Sequence, residues 1–376
     1  MKIAMIGQKG IPAKSGGIEK HVEEMATRLV EQGHEVTVYC RNTYMEDNMK
    51  EYKGVTIKTI KTINSKSLDA IVYSLKATVD SLFHDYEIYN YHAIGPASLS
   101  FIPKIFGKKV VVTVHGLDWQ RKKWGKFGRI YLKFGEFITG HYADKIISVS
   151  ENLTEYFIKK YNRREENVIF IPNGVRIESE IAPNEIKKFG LNRNEYILFL
   201  ARLVPEKGAH YLIEAYKKLR TDKKLVIAGG TSFSDDYVEK LNELAENNNN
   251  IIFTGNVGGK LLAELYSNCF LYVLPSDIEG MPLTLLEALS YGRRVLVSDI
   301  LENLQVIDNI NNCYCFIKSD INDLYDKLNL ILTENKPYNP EEIIRIIEDK
   351  YSWEKIVSQY VEEISGARAD RLQQYN

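Results

Sequence analysis

Short apolar runs alternate with helix-spaced stretches along the whole chain, and the alternation halts and restarts once near the middle. The opening residues 2–7 form an apolar run followed by a glycine-rich loop with Gly10, Gly16 and Gly17. Ile18, Val22, Met25, Ala26 and Leu29 then recur at helical spacing. Gly33 ends that pattern, and a second apolar run covers 35–40. Strand, loop, helix and strand make a βαβ unit, whose crossover should be right-handed. Further strands are expected at 55–59, 86–90, 109–114 and 145–149. A turn at Asn173 and Gly174 and a charged stretch to Leu191 read as a hinge. Strands at 196–200, 225–228, 251–254, 270–274, 294–297 and 313–317 follow, with helices near 320–333, 340–350 and 353–365. Two runs of this kind imply two α/β domains with parallel sheets facing a cleft.

Length and composition narrow the function classes. A chain of 376 residues suits two domains. A net charge of −1 argues against bulk electrostatic binding of nucleic acid. No apolar run approaches the ~20 residues of a membrane span. The first residues enter a strand directly and leave no room for a signal peptide, so a cytoplasmic location is expected. Cys40, Cys269, Cys313 and Cys315 are too few for a disulfide framework, and the Cys313/Cys315 pair lacks the second pair of a zinc site.

The richest chemistry lies at 275–287, directly after the apolar run 270–274. Pro282 fits the first turn of a helix, where the missing N–H costs no hydrogen bond. Glu279 then lies just before a helix N-terminus, with Glu287 about 7–8 Å along the helix from Pro282. Two acids on a surface are ordinarily only solvated. A Gly-x-Pro between them after a strand instead suggests a ligand site. His115 follows the run 109–114, at the carboxyl end of a parallel strand, where open α/β sheets bind ligands; a lone histidine there can also be a satisfied polar group. The Gly7, Gly10, Gly16 spacing does not match a dinucleotide fingerprint, but exposed amides at a helix N-terminus suit a phosphate.

Taken together, these residues resemble family-4 glycosyltransferases of the two-Rossmann GT-B type. Glu279 and Glu287 match the family's Glu-x7-Glu pair, and 201–208 matches its Gly-Arg-Leu-x-x-x-Lys-Gly loop, with Ala201 for the usual glycine. The Gly16-Gly17 loop, His115 and 172–175 also match, and the residues around 8–10 and 115–121 look like the bacterial cell-surface polysaccharide branch. The resemblance implies a retaining transfer of a sugar from a UDP- or GDP-linked donor to a glycan or lipid-linked acceptor, without a cofactor. It implies an acceptor domain over 1–175, a donor domain over 176–352, and a terminal helix at about 353–376 that packs back on the first. Glu279 and His115 would be catalytic. Arg202, Lys207, Gly16 and Gly17 would hold the diphosphate, Glu287 and Val257 the ribose and base, and Gly280, Met281 and Leu283 the donor sugar. The competing functions are an epimerase or phosphorylase on the same scaffold, or a non-catalytic nucleotide-sugar-binding protein. Gln305 stands where relatives usually have glutamate, and 309–312 replaces a more glycine-rich turn.

No metal is expected, because the sequence has no Asp-x-Asp; Asp277 and Glu279 are the nearest approach to a cation site. Charge is segregated as well. Lys104, Lys108, Lys109, Arg121, Lys122, Lys123, Lys126, Arg129 and Lys133 face a single acid, Asp118, so the window 104–133 carries +8 and the rest of the chain −9. Trp119, Trp124 and Phe127 are interleaved with them. Either this is a solvated helix whose apolar stripe (Phe127, Ile130, Tyr131, Phe134) joins the core, or it leans on an anionic membrane.

Overall fold

The computed structural model describes residues 1–14, 16–45, 49–63, 68–121, 123–230, 235–334 and 336–366. Ser15, Lys122 and the last ten residues of the expected terminal helix lie outside them. The chain divides into two units, Met1–Gly174 with the segment from Trp353 onward, and Val175–Ser352.

In the first unit eight strands make one sheet: β1 (Lys2–Ile6), β2 (Glu35–Arg41), β3 (Glu51–Tyr52), β4 (Val55–Ile60), β5 (Ile88–His92), β6 (Lys109–Val114), β7 (Lys145–Ser148) and β8 (Val168–Phe170). Their order is β3-β4-β2-β1-β5-β6-β7-β8, parallel except for the short β3, which pairs antiparallel with β4 at the edge. The chain winds outward from β1 to β4, then returns beside β1 to lay down β5 to β8. The boundary between β1 and β5 is therefore a topological switch point, where an open α/β sheet leaves a crevice at its carboxyl edge. The helix Trp353–Ser365 belongs to this unit because Trp353, Ile356, Val357, Tyr360 and Ile364 share one stripe and enter the core formed by β1 and the helix Gly17–Glu31. Asn90 Nδ2 donates to Tyr360 Oη at 2.8 Å, and Gly174 lies so close to Trp353 that a Cβ there would come within 2.4 Å of the ring.

The second unit has six strands: β9 (Tyr196–Leu200), β10 (Lys224–Ala228), β11 (Ile251–Gly255), β12 (Leu271–Leu274), β13 (Val295–Ser298) and β14 (Cys313–Phe316). The order β11-β10-β9-β12-β13-β14 is parallel throughout, with the switch point between β9 and β12. Near-continuous apolar residues in the inner strands β9, β10, β12 and β13 follow from burial on both faces. Each unit is thus a parallel α/β sheet with its own core, the two-Rossmann arrangement that the sequence predicts.

Three expectations need correction. The strand expected at 86–90 runs Ile88–His92, which carries His92 to the sheet's carboxyl edge. Pro282 precedes the helix Leu283–Ser290 instead of opening it; its carbonyl accepts from Leu285 and Leu286. The apolar stripe of the helix Lys126–Tyr142 is not core. Phe127 is 90% exposed and Ile130 65%, and Phe134 is also exposed, while the inward face carries Leu132, Gly135, Glu136, Ile138 and Thr139.

Candidate active site

In the second unit, two loops leave the carboxyl ends of the neighbouring strands β9 and β12. The first, 201–208, is held by sheet-like bonds from Ala201 N to Ala228 O (3.2 Å) and Leu203 N to Gly230 O (3.0 Å). It ends in a single 3-10 turn, Pro205–Lys207, closed by Gly208 at φ 73. Glycine is required there: a Cβ would stand 2.0 Å from the Pro275 carbonyl oxygen of the second loop. Asp277 N donates to Glu206 O at 2.9 Å, so the loops are stitched backbone to backbone.

That stitching brings Lys207 to Glu279. Lys207 Nζ donates to Glu279 Oε1 at 2.5 Å, with both side chains mostly buried. Tyr272 on β12 lies between the loops, its hydroxyl bonded to Leu200 O (3.2 Å) and Thr284 Oγ1 (2.8 Å). Burial, with the nearby negative charges of Glu279 and Glu287, pushes the Tyr272 phenol well above its usual value, so it stays protonated. Glu287 itself accepts from Tyr266 Oη at 2.8 Å, and Tyr266, buried and beside that charge, also remains protonated. Arg202, Gly280 and Leu283 are half-buried around this corner, Met281 is buried, and Val257 is half-buried in the loop after β11. Asp277 accepts from Tyr211 (3.3 Å) and Ser319 (2.8 Å). With Lys207 already on Glu279, the Asp277/Glu279 pair is poorly arranged for a cation.

In the first unit the switch point gathers three histidines. His92 ends β5, His115 follows β6, and His21 comes from the helix Gly17–Glu31. His92 Nδ1 and His115 Nε2 are 3.3 Å apart, one donating to the other, and His21 Nδ1 is 2.9 Å from Asn173 Oδ1. His92 Nε2 is buried without a hydrogen-bond partner. Among the described residues, this trio is the group of ligand-type side chains close enough to hold a metal ion, with nitrogens within 4.8 Å of one another. Burial pushes the His21 ring down to about 4 and the other two well below the usual histidine value, the neighbouring rings adding to the effect, so all three are neutral. The glycine-rich loop is partly spoken for: Lys9 N donates to Glu19 Oε1 (3.1 Å) and Ala13 N to Glu23 Oε2 (2.6 Å). Gly16 and Gly17 stay exposed at the helix start, with Gly16 at φ 101.

Of the residues expected from sequence, Glu279, Lys207, Gly280, Met281, Leu283 and Glu287 come together after β9 and β12. His115 joins His21 and His92, which sequence reasoning missed. His21 sits on a helix whose visible signal was its apolar stripe, and His92 on a strand placed two residues too early. Tyr266 and Tyr272 were also missed, since each reaches the site from a different element with no local pattern to mark it.

Known proteins match this arrangement along nearly the whole length. The pattern for "Glycosyltransferase Family 4" covers residues 15–179 and that for "Glycosyl transferases group 1" covers 182–348. The chain belongs to the family-4 glycosyltransferases of the GT-B type. An uncharacterised glycosyltransferase of Methanocaldococcus jannaschii is 26% identical over 96% of this chain and 97% of its own. The UDP-Gal:alpha-D-GlcNAc-diphosphoundecaprenol alpha-1,3-galactosyltransferase of Escherichia coli is 26% identical over 87% and 85%. The crystal structure of Anabaena Alr3699/HepE in complex with UDP and glucose superposes with a TM-score of 0.81 at 19% identity, covering 97% of this chain and all of the other. The glycosyltransferase's fold is thus GT-B, and its reaction belongs to polysaccharide and glycoconjugate synthesis.

Proposed function

We propose that this glycosyltransferase moves a hexose from a nucleoside-diphosphate sugar to a sugar on a lipid-diphosphate carrier, at the cytoplasmic face of the membrane. The observation that carries the donor half is the corner after β9 and β12, where a mostly buried lysine and glutamate meet at 2.5 Å. A leaving diphosphate gains charge in the transition state. Arg202 offers a planar fork and Lys207 a point charge for its oxygens, and fixed donors of this kind commonly supply the largest catalytic term. When the diphosphate takes Lys207, Glu279 is freed to face the donor sugar, whose hydroxyls the 280–283 amides would hold. Glu287, steadied by Tyr266, would accept from the ribose, with Val257 near the base. Within the first unit, the exposed Gly16 and Gly17 amides suit phosphate oxygens and neutral His115 suits a sugar hydroxyl. Positive side chains stand in for a metal in this scheme. We assign retention of anomeric configuration, with leaving group and acceptor on one face of the sugar.

The acceptor half rests on likeness. The Escherichia coli relative acts on a diphosphoundecaprenol-linked sugar with UDP-Gal, and the Anabaena protein binds UDP and glucose. The deciding experiment incubates the enzyme with UDP- and GDP-hexoses and a short-chain lipid-diphosphate sugar, and reads the product anomer by NMR. An α-linked product from an α-linked donor is expected. Inverted product refutes retention, and no transfer from any donor refutes the reading as a whole.

A further inference from the structure

The helix Lys126–Tyr142 turns its apolar side outward. Phe127, Ile130, Phe134 and Phe137 are all exposed and spaced three, four and three residues apart. At about 100° per residue they share one stripe, with Lys126, Arg129 and Lys133 along one border of it. All three basic residues are exposed.

This orientation is built in from the inner side. Glu136 is fully buried and accepts from Trp119 Nε1 (2.6 Å), Tyr156 Oη (2.8 Å), Tyr161 Oη (2.7 Å) and Lys160 Nζ (2.5 Å). Gly135 packs so tightly on the Ile94 carbonyl that a Cβ would come within 2.0 Å of its oxygen, and Gly140 would meet the Tyr161 ring at 2.4 Å. Rolling the helix to hide the aromatics would strip a buried carboxylate of four donors and drive larger residues into both contacts. The exposed Ile105 and Phe106 lie at the end of the helix Phe101–Ile105. Its Lys104 pairs with Asp144, and its Phe101 ring is 6.4 Å from Tyr142, so the two helices share a neighbourhood.

We propose that this face is an interfacial membrane anchor for anionic phospholipid, with the helix lying flat in the headgroup layer. Charge decides the occupant. The exposed Lys126, Arg129 and Lys133 border the aromatic stripe, and the one acid of the stretch 104–133, Asp118, is engaged by Arg121 at 3.3 Å. A second copy of the chain would bring the same positive surface against itself, whereas an anionic leaflet complements it. Aromatic side chains and flanking cations fit the amphipathic pattern of helices that lie in the interface. The proposal deepens the lipid-carrier reading above, yet its test does not depend on turnover.

Full-length protein is sedimented with vesicles of phosphatidylcholine alone or mixed with phosphatidylglycerol, at low and high salt. Binding is expected only to the anionic vesicles and falls steeply as salt rises. Lys126→Glu with Arg129→Glu, and separately Phe127→Ser with Phe134→Ser, should each weaken the partition at least about tenfold. Both variants should keep wild-type turnover of a water-soluble acceptor, which shows that they fold. Protein left in the supernatant at low salt, binding unchanged in both variants, or a dimer in solution that both variants dissociate overturns the proposal. Vesicle binding without turnover of any acceptor leaves the anchor standing and sinks the transfer reading instead.

Discussion

Acid should loosen the first unit before the second, because of the three histidines at its switch point. The unfolded chain takes up a proton on each ring below its ordinary value of about 6.5. The folded unit does not do so at His21 until about pH 4, and the rings of His92 and His115 also titrate well below the usual value. The unfolded state therefore binds more protons in this window, so stability is full above about pH 6.5 and is lost as pH falls. Between about pH 7.5 and 5.5 each ring that stays neutral costs about 1.4 kcal/mol. His21 alone removes about 1.4 kcal/mol, and His92 and His115, also held well below the usual value, add to it in the same direction. In a unit of this size that lowers Tm by at least about 3–6 °C. The shifted carboxylates Glu136, Glu180 and Glu264 are held below the usual carboxylate range, so they act only at lower pH. All three tryptophans, Trp119, Trp124 and Trp353, belong to the first unit, so tryptophan fluorescence reports its unfolding alone. Melting curves at the two pH values should separate by this amount, and His21→Gln should shrink the separation by about 1.4 kcal/mol. Curves that coincide, or a gap that His21→Gln leaves unchanged, refute the account.

Glu279→Gln keeps the shape of the corner but removes its negative charge, and kcat should fall at least ~100-fold in a steady-state assay while the fold persists. Glu287→Ala should mainly raise KM for the donor, since a ribose contact acts alike in ground and transition states; a loss confined to kcat would exchange the two roles. EDTA should leave turnover intact, and activity lost to chelation but restored by a divalent ion would make the histidine trio a metal centre. Glu136→Leu leaves Lys160 and three other donors without their shared acceptor, and should destabilise the first unit by about 3–5 kcal/mol, read from tryptophan melting.

The strand–helix alternation was legible because buried parallel strands read as apolar runs whatever surrounds them. Glu279, Lys207 and Glu287 stand out in sequence through their match to family motifs, and the structure adds the loops that bring Lys207 to Glu279. The sequence does not say which side of an amphipathic helix meets the core: at 126–142 the aromatics point out, and a glutamate with two glycines points in. That inversion depends on donors from Trp119, Tyr156, Lys160 and Tyr161, distant in sequence from the helix face they fix. The histidine trio was hidden for the same reason, since a helix, a strand end and a loop each supply one ring. The turn at 309–312 shows how a sequence departure is absorbed. Asn309 and Asn312 take φ of 58 and 62, a backbone that asparagine tolerates better than most side chains, so glycine is dispensable there.

The salt bridge between Lys207 and Glu279 also has a kinetic side. While Lys207 and Glu279 are paired their charges cancel at short range, so the pair itself exerts little pull on an anion still in solution. Attraction grows only after contact, when phosphate oxygens compete for the ammonium. Donor capture should then be a slow exchange of partners whose rate depends little on ionic strength. Arrival at a charged bilayer is the opposite kind of event, fast, long-ranged and damped by salt. If both proposals hold, the enzyme finds its acceptor by electrostatics and its donor by collision.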